Sequence, residues 1–375
     1  MKKLLLLAVF ACFSVSVFAQ MTKENNYGIN KLKIEARTDF DCFIYDDATN
    51  SGFNGKILDF IIAGDINDNF YYAYRQRLNK IQRDYNFFDA TDYLYLGWRI
   101  TKNLSLTTGK EIVAMGGIEY DLAPIDVYYH SNFWDNFSCY RFGANLEYTT
   151  NNGKNTFTFQ FTNSPFDKAI LFGSLYNYSL HWRANYKHFG PVCSVNMYEY
   201  KKGTFMNVIA LGTTYQFGPV VGYLDFTNRA NSEQKDFFFK DITVIGRLGV
   251  NLFSNKFQLF AKGGFDINES QDINIPIEKV YDICVLPGTD IKFCGGGFEF
   301  YPLKNSQNIR IHGFFAVSDV IRSVENQTEI TPIVDSTTPL VILYDEEHVV
   351  RETAKDKISY QVNLGVTWRL NFINK

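Results

Sequence analysis

Thirteen residues near the C-terminus constrain the fold more than any other stretch: Tyr360, Val362, Leu364, Val366, Trp368, Leu370 and Phe372 alternate with Gln361, Asn363, Gly365, Thr367, Arg369 and Asn371. Strict period two puts successive side chains on opposite faces of a strand, so one face meets an apolar medium and the other a polar one. A soluble sandwich would turn the apolar face to a core. A membrane barrel turns it to lipid and keeps the polar face on a wet lumen.

The pattern recurs along the chain. Tyr178, Leu180, Trp182 and Ala184 alternate with Asn177, Ser179, His181, Arg183 and Asn185, and Phe142, Ala144 and Leu146 with Arg141, Gly143, Asn145 and Glu147. Phe157, Phe159 and Phe161 oppose Thr158, Gln160 and Thr162, while Leu94, Leu96, Trp98 and Ile100 oppose Tyr93, Tyr95, Gly97 and Arg99. These are amphipathic strands. An aromatic share of 17% on a chain of slightly negative mean hydropathy fits many half-apolar strands better than one large core. Beyond the N-terminus no run of apolar residues is long enough for a membrane-spanning helix.

Connector lengths decide between sandwich and barrel. Strands are expected at about 31–44, 55–64, 69–81, 91–100, 103–114, 136–149, 154–163, 173–187, 190–200, 205–217, 219–228, 237–252, 256–267, 290–302, 308–318 and 357–372. Short connectors alternate with long ones at 45–54, 115–135, 268–289 and 319–356; Lys201–Thr204 is short although it falls on the long side. That parity predicts an all-β protein, a transmembrane up-and-down antiparallel β-barrel of about 16 strands. A single barrel absorbs residues 20–375, with no repeat for a propeller and too few residues before the first strand for the plug of a TonB-type transporter.

The first nineteen residues read as a cleaved signal peptide: Lys2 and Lys3, an apolar run from Leu4 to Phe10, and Val17 and Ala19 before a cleavage point ahead of Gln20. Export to the outer membrane follows. A net charge of −3 shows none of the basic excess of a nucleic-acid binder. After export the cysteines are Cys42, Cys139, Cys193, Cys284 and Cys294, an odd number at irregular spacing; a Cys284–Cys294 bridge is left open. The oxygen-rich stretches Asp46–Asn50 and Asp266–Asp272 lack calcium-loop spacing, so neither metal nor other cofactor is expected. Some barrels are lipases or proteases, but the G-x-S-x-G elbow is absent and the chain has only five histidines, His130, His181, His188, His312 and His348, of which His181 and His312 point inward and fit polar lumen filler better than catalysis. A barrel enzyme, or a binding or structural barrel without channel activity, remains the alternative to a channel.

The segment from Gly109 through Tyr140, GKEIVAMGGIEYDLAPIDVYYHSNFWDNFSCY, together with ILDFIIAGDINDNFYYAYRQRLNK, resembles the Bacteroidetes porins related to phosphate-selective porins O and P. Its most specific part is Gly109, Lys110, Gly116, Gly117, Glu119 and Tyr120. The resemblance implies a general porin, a homotrimer, whose third long loop folds toward the lumen. Its partners would be outer-membrane lipid, the barrel assembly machinery and small polar solutes or anions, phosphate among them. One departure is the end of the chain, where Phe372 is followed by Ile373, Asn374 and Lys375 instead of closing the sequence on an aromatic residue.

Strand phase places Lys33, Arg37, Arg75, Arg77, Arg99, Arg141, Arg183, Arg247, Lys262, Arg310 and Arg369 inward. The acids in the same phase are fewer: Glu35, Asp39, Glu147, Asp266 and Glu299, with Asp59, Glu111 and Asp225 ambiguous. Arg75, Arg77, Arg99, Arg141, Arg183, Arg247, Lys262, Arg310 and Arg369 are therefore the candidate pore-lining cations, which would favour anions in a narrow passage. An equally open reading has them bracing the wall by pairing with carboxylates. The stretch from Met115 to Asn136, with Glu119, Asp121, Asp126 and His130, is the candidate constriction loop, the alternative being an exposed extracellular lid. On the C-terminal strand, Leu364→Arg is expected to be costly and Asn363→Arg mild.

Overall fold

The alternating segments pair into one antiparallel sheet that closes on itself. The computed structural model describes residues 27–45, 48–80, 87–167, 173–232, 234, 236–270, 285, 289–322, 327–328, 332–334, 342–344, 349–350 and 357–374. The barrel strands are β1 (Gly28–Tyr45), β2 (Ala48–Asp65), β3 (Phe70–Arg77), β4 (Thr91–Arg99), β5 (Leu104–Ile112), β6 (Tyr140–Thr149), β7 (Asn155–Asn163) and β8 (Tyr176–Ala184). They continue with β9 (Phe189–Lys201), β10 (Thr204–Phe217), β11 (Val220–Asn231), β12 (Asp241–Leu252), β13 (Phe257–Asn268), β14 (Thr289–Phe300), β15 (Ile309–Arg322) and β16 (Lys357–Asn374). Each strand pairs with the next, and β16 returns to β1 in a register running from Lys31 opposite Asn374 to Ile44 opposite Tyr360. Closure leaves no sheet edge whose amides and carbonyls lipid would have to satisfy.

This is the expected sixteen-strand barrel, with local differences. The stretch 45–54 is mostly strand, because β1 and β2 stay paired up to Tyr45 opposite Ala48; its Asn, Ser and Gly residues read as loop but sit in the ladder. β6 begins at Tyr140, so Asn136–Cys139 belongs to the preceding loop. Within 319–356, β15 runs on to Arg322, and two short ribbons pair Gln327–Thr328 with Val349–Val350 and Pro332–Val334 with Ile342–Tyr344. The short connector on the long side is a tight turn, with Gly203 at φ 77°. Residues 1–26, which hold the expected signal and Cys12, together with Asp46, Asp47, Asp272, Cys284 and His348, lie outside the described residues.

The two faces of β16 follow the alternation. Tyr360, Val362, Leu364, Val366, Leu370 and Phe372 are exposed on the outside, whereas Asn363 and Thr367 are buried within. Leu94, Leu96, Trp98, Phe157, Phe159, Phe161 and Leu180 extend the same exposed apolar belt around the barrel. Such a surface far exceeds the few hundred Å² tolerated in water, so its solvent is lipid. Cys294, exposed between inward Phe293 and Gly295, lies on this outer face. No helix among the described residues is long and apolar enough to cross a membrane; the strands do the crossing.

The barrel also has an interior core. Met206, Val208 and Ala210 of β10 and Tyr198 and Tyr200 of β9 point inward, where they pack on Val113, Met115, Tyr120, Phe133 and Phe137 from the β5–β6 connection. Hence β10 is apolar on both faces and shows no clean alternation. The mild effect expected for Asn363→Arg needs correction as well. Asn363 donates from Nδ2 to Asp39 at 2.7 Å and to Asp41 at 2.8 Å, so this inner face is packed and not water-filled.

Candidate functional site

The connection between β5 and β6 enters the lumen and is bonded to the wall almost residue by residue. Its first stretch lies along β7, β9 and β11. Gln160 accepts from Ala114 N at 2.7 Å, Asn196 donates to Ala114 O at 2.7 Å, and Ser194 Oγ accepts from Gly116 N at 2.7 Å. Asp225 then accepts from both Ile118 N and Glu119 N at 2.7 Å, holding the start of the short helix α1 (Ile118–Asp121). Orphan amides at a helix start favour a carboxylate there. The paired glycines make this approach sterically feasible. A Cβ on Gly116 would meet Ala210 O at 2.6 Å, and Gly117 adopts φ 120°, a region that side chains disfavour. Gly212 on the facing wall is small for the same reason, since a Cβ there would stand 3.0 Å from Gly117 Cα.

Glu119 ties the loop to itself and to the far wall. One oxygen accepts from Ser131 N at 3.0 Å, and the other pairs with Lys262 Nζ at 2.7 Å and accepts from Tyr223 OH at 3.3 Å. Farther on, a 3-10 turn, Pro124–Asp126, reaches the opposite side of the barrel. There Asp126 Oδ1 accepts from Arg310 at 2.7 Å and Arg369 at 2.8 Å, and Arg37 donates to Val127 O at 2.6 Å. The Tyr128 ring stacks on His312 with centroids 4.4 Å apart, lies beneath the guanidinium of Arg37 at 4.8 Å, and donates its hydroxyl to Glu299 at 2.9 Å. The loop thus spans the lumen from β11 to β1 and β15. It returns through α2 (Asn132–Asn136), whose start is capped by Ser131 Oγ accepting from Trp134 N. His130 lies on this return path, stacked on Trp134 at 4.0 Å and bonded to Asp135 at 2.8 Å.

The candidate cations divide by height and by what they touch. Toward the long-loop end, Arg75 pairs with Asp59 at 2.9 Å and Asp92 at 3.1 Å, and Arg77 pairs with Asp92 at 2.8 Å. Arg141 in the same half is buried and donates to Pro165 O at 2.6 Å. Toward the short-turn end, Arg99 pairs with Asp65 at 2.7 Å, Arg183 with Asp121, Arg369 with Glu35 at 2.8 Å, and Arg247 approaches Glu299 at 3.6 Å. The loop meets Lys262, Arg310 and Arg369 through Glu119 and Asp126, and Arg183 through Asp121. Strand phase alone did not reveal Asp92, or the buried Arg229–Asp241 pair at 2.6 Å. Asp92 alternates with the outward Leu94, Leu96 and Trp98, and only the break in register between Arg75 and Gln76, where Asp92 is the extra residue opposite β3, turns it inward.

Within these pairs the cation usually stands nearer water. The Arg183 side chain is 51% exposed against 20% for Asp121, Arg77 is 16% against 2% for Asp92, and Arg369 is 20% against 6% for Glu35. The order reverses at Asp126, at 33% against 5% for Arg310 and 20% for Arg369, and slightly at Glu299, at 8% against 5% for Arg310. Burial raises Asp126, but Arg310 and Arg369 outweigh it and hold the carboxyl below its usual range. For Asp121 burial wins over Arg183 and pushes the carboxyl up to about 6.

Below the loop, toward the short turns, lies a cleft of about 490 Å³ lined by Asp126, Tyr129, Tyr215, Arg247, Glu299 and Arg310 among others. A closed membrane barrel whose lumen is narrowed by an inturned, wall-bonded loop and lined with charged groups is an outer-membrane porin. Residues 31–234 match the family of phosphate-selective porins O and P, and the chain belongs to that family. The fold agrees with solved outer-membrane proteins of distant sequence. An anion-selective porin from Comamonas acidovorans shares 10% identity at a TM-score of 0.58, with 92% of this chain and 100% of that chain covered. OmpT of Vibrio cholerae, expressed in the outer membrane, shares 11% at 0.57, covering 94% and 100%. The outer membrane channel DcaP of Acinetobacter baumannii shares 9% at 0.57, covering 92% and 99%. No curated protein matches the chain in sequence.

Proposed function

We propose that this porin passes small polar solutes by diffusion with a preference for anions, between the inturned loop and the β3–β8 wall. Arg183 and Glu147 stand exposed on the inner side of that wall. The observation that carries the preference is the layering of the ion pairs. Formal charges nearly balance, but with carboxylates tucked behind guanidiniums a passing ion meets the cation first. Such fields reach about a Debye length, roughly 8 Å at physiological salt, so they act where the loop narrows the bore. Phosphate as a preferred anion is supported by the family; strand phase supports Arg75, Arg77, Arg99, Arg141, Arg183, Arg247, Lys262, Arg310 and Arg369 as the basic lining, and the place of the inturned loop supports Glu119, Asp121, Asp126 and His130 as the constriction. We assign no catalytic step.

The same reading includes removal of residues 1–19, insertion of residues 20–375 by the barrel assembly machinery, assembly as a homotrimer, and an origin in the Bacteroidetes, which the Gly109–Tyr140 resemblance supports. The test is a reversal potential across a salt gradient in a planar bilayer. Wild type is expected to favour anions, and Arg183→Gln with Arg247→Gln to lower the ratio. A wild-type channel that favours cations overturns the preference.

A further inference from the structure

Arg247 differs from Lys262 and Arg310, the other cations that the strands turn into the cleft below the loop. Lys262 is closed onto Glu119 and Arg310 onto Asp126, each at 2.7 Å. Arg247 has only a loose carboxylate contact, Glu299 at 3.6 Å, because the Glu299 oxygens already accept from Tyr128 OH at 2.9 Å and Tyr301 OH at 2.7 Å. Its orientation is nonetheless fixed. The guanidinium lies over the Phe260 ring at 4.3 Å and donates from Nη2 to Gln258 Oε1 at 2.5 Å, and Gln258 donates onward to Asn251 at 2.6 Å. A guanidinium held in plane by a ring and a relay loses little freedom when it takes a ligand.

We propose that this cleft binds a small organic monocarboxylate with a flat apolar body, anchored by Arg247. The planar fork of Arg247 suits a carboxylate. Asp126 and Glu299 line the same cleft and would repel the second charge of a dianion such as hydrogen phosphate. Tyr129 and Phe260 line the same cleft and give the body an apolar wall, and about 490 Å³ opening past the Asn185–Gly190 turn is room enough for a benzoate-sized molecule. This deepens the porin reading and rests on it for access from the aqueous lumen. It differs from the anion preference, which needs only a field and no site.

Isothermal titration of the detergent-solubilised barrel with benzoate, benzamide and inorganic phosphate reads binding without reading conductance. Benzoate is expected to give a saturable isotherm, benzamide and phosphate none at the same concentrations. Arg247→Gln should weaken benzoate by at least about tenfold, and Arg247→Lys, which keeps the charge but loses the fork, by a smaller factor. Heat-modifiable migration of each variant reports an intact barrel, and Arg247→Lys serves if Arg247→Gln does not fold. Equal binding of benzamide or phosphate, or unchanged benzoate affinity in the folded variants, overturns the site. A conducting barrel that ignores benzoate loses this inference alone, whereas a barrel that binds benzoate without conducting loses the channel reading.

Discussion

Glu119 of the inturned loop and Lys262 of β13 meet at 2.7 Å inside the barrel, both side chains buried, although the loop leaves the wall at β5. A buried pair adds little net stability over an apolar pair of similar shape, but removing one partner strands the other charge. Glu119→Gln alone is therefore expected to cost about 3 to 5 kcal/mol. It should also raise open-channel noise, because Ser131 N and Tyr223 lose their charged acceptor. Adding Lys262→Met should recover most of the stability without quieting the noise. Thermal loss of heat-modifiable migration and single-channel recording check the two halves, and a double variant no more stable than the single would show that the pair is not coupled.

Asp121 offers a pH test. Burial puts its carboxyl at about 6, so it is charged at pH 7 and largely neutral at pH 5. As it is neutralised, Arg183 loses its counter-charge, and the anion-to-cation ratio should rise between pH 7 and pH 5. Asp121→Asn should show the higher ratio already at pH 7 and respond less to acid. For stability the sign is that of a raised carboxyl. The native state takes up this proton before the unfolded chain does, so the contribution of this group falls as pH rises from about 4 to about 6. Reversal potentials at the two pH values decide the first point; a ratio that stays flat in wild type removes Asp121 from the constriction.

On β16 the outward and inward faces should fail for different reasons. Leu364→Arg puts a charge into lipid and is expected to cost roughly 2 to 4 kcal/mol. Asn363→Arg keeps to the lumen side but displaces the donor that bonds both Asp39 and Asp41, and must fit beside Gly365, where even a Cβ would meet Asp39 Oδ1 at 2.1 Å. Both variants are thus expected to destabilise. Unfolding in urea from lipid vesicles measures them, and an Asn363→Arg barrel as stable as wild type would mean that the inner face has room after all.

Period-two alternation and the parity of connector lengths were enough to read the barrel, its strand number and the outward phase of Trp98, Tyr178 and Leu364, while the inward turn of Met115–Asn136 was implied by the resemblance around Gly109–Tyr140. Those properties are local, because facing lipid or water is decided residue by residue along each strand. β10 escaped the pattern because its inner face meets a protein loop, and both of its faces are therefore apolar. The electrostatics of the lumen were settled only by closure of the barrel. Arg310 and its partner Asp126 are 184 residues apart, and Asp225 finds the amides of Ile118 and Glu119 from more than a hundred residues away. An inward arginine in the sequence is simply a charge on the lumen face. Whether it faces a solute or is held against a carboxylate depends on which strands and which loop the closed sheet brings beside it, since charge interactions are decided by distance and burial and not by position along the chain.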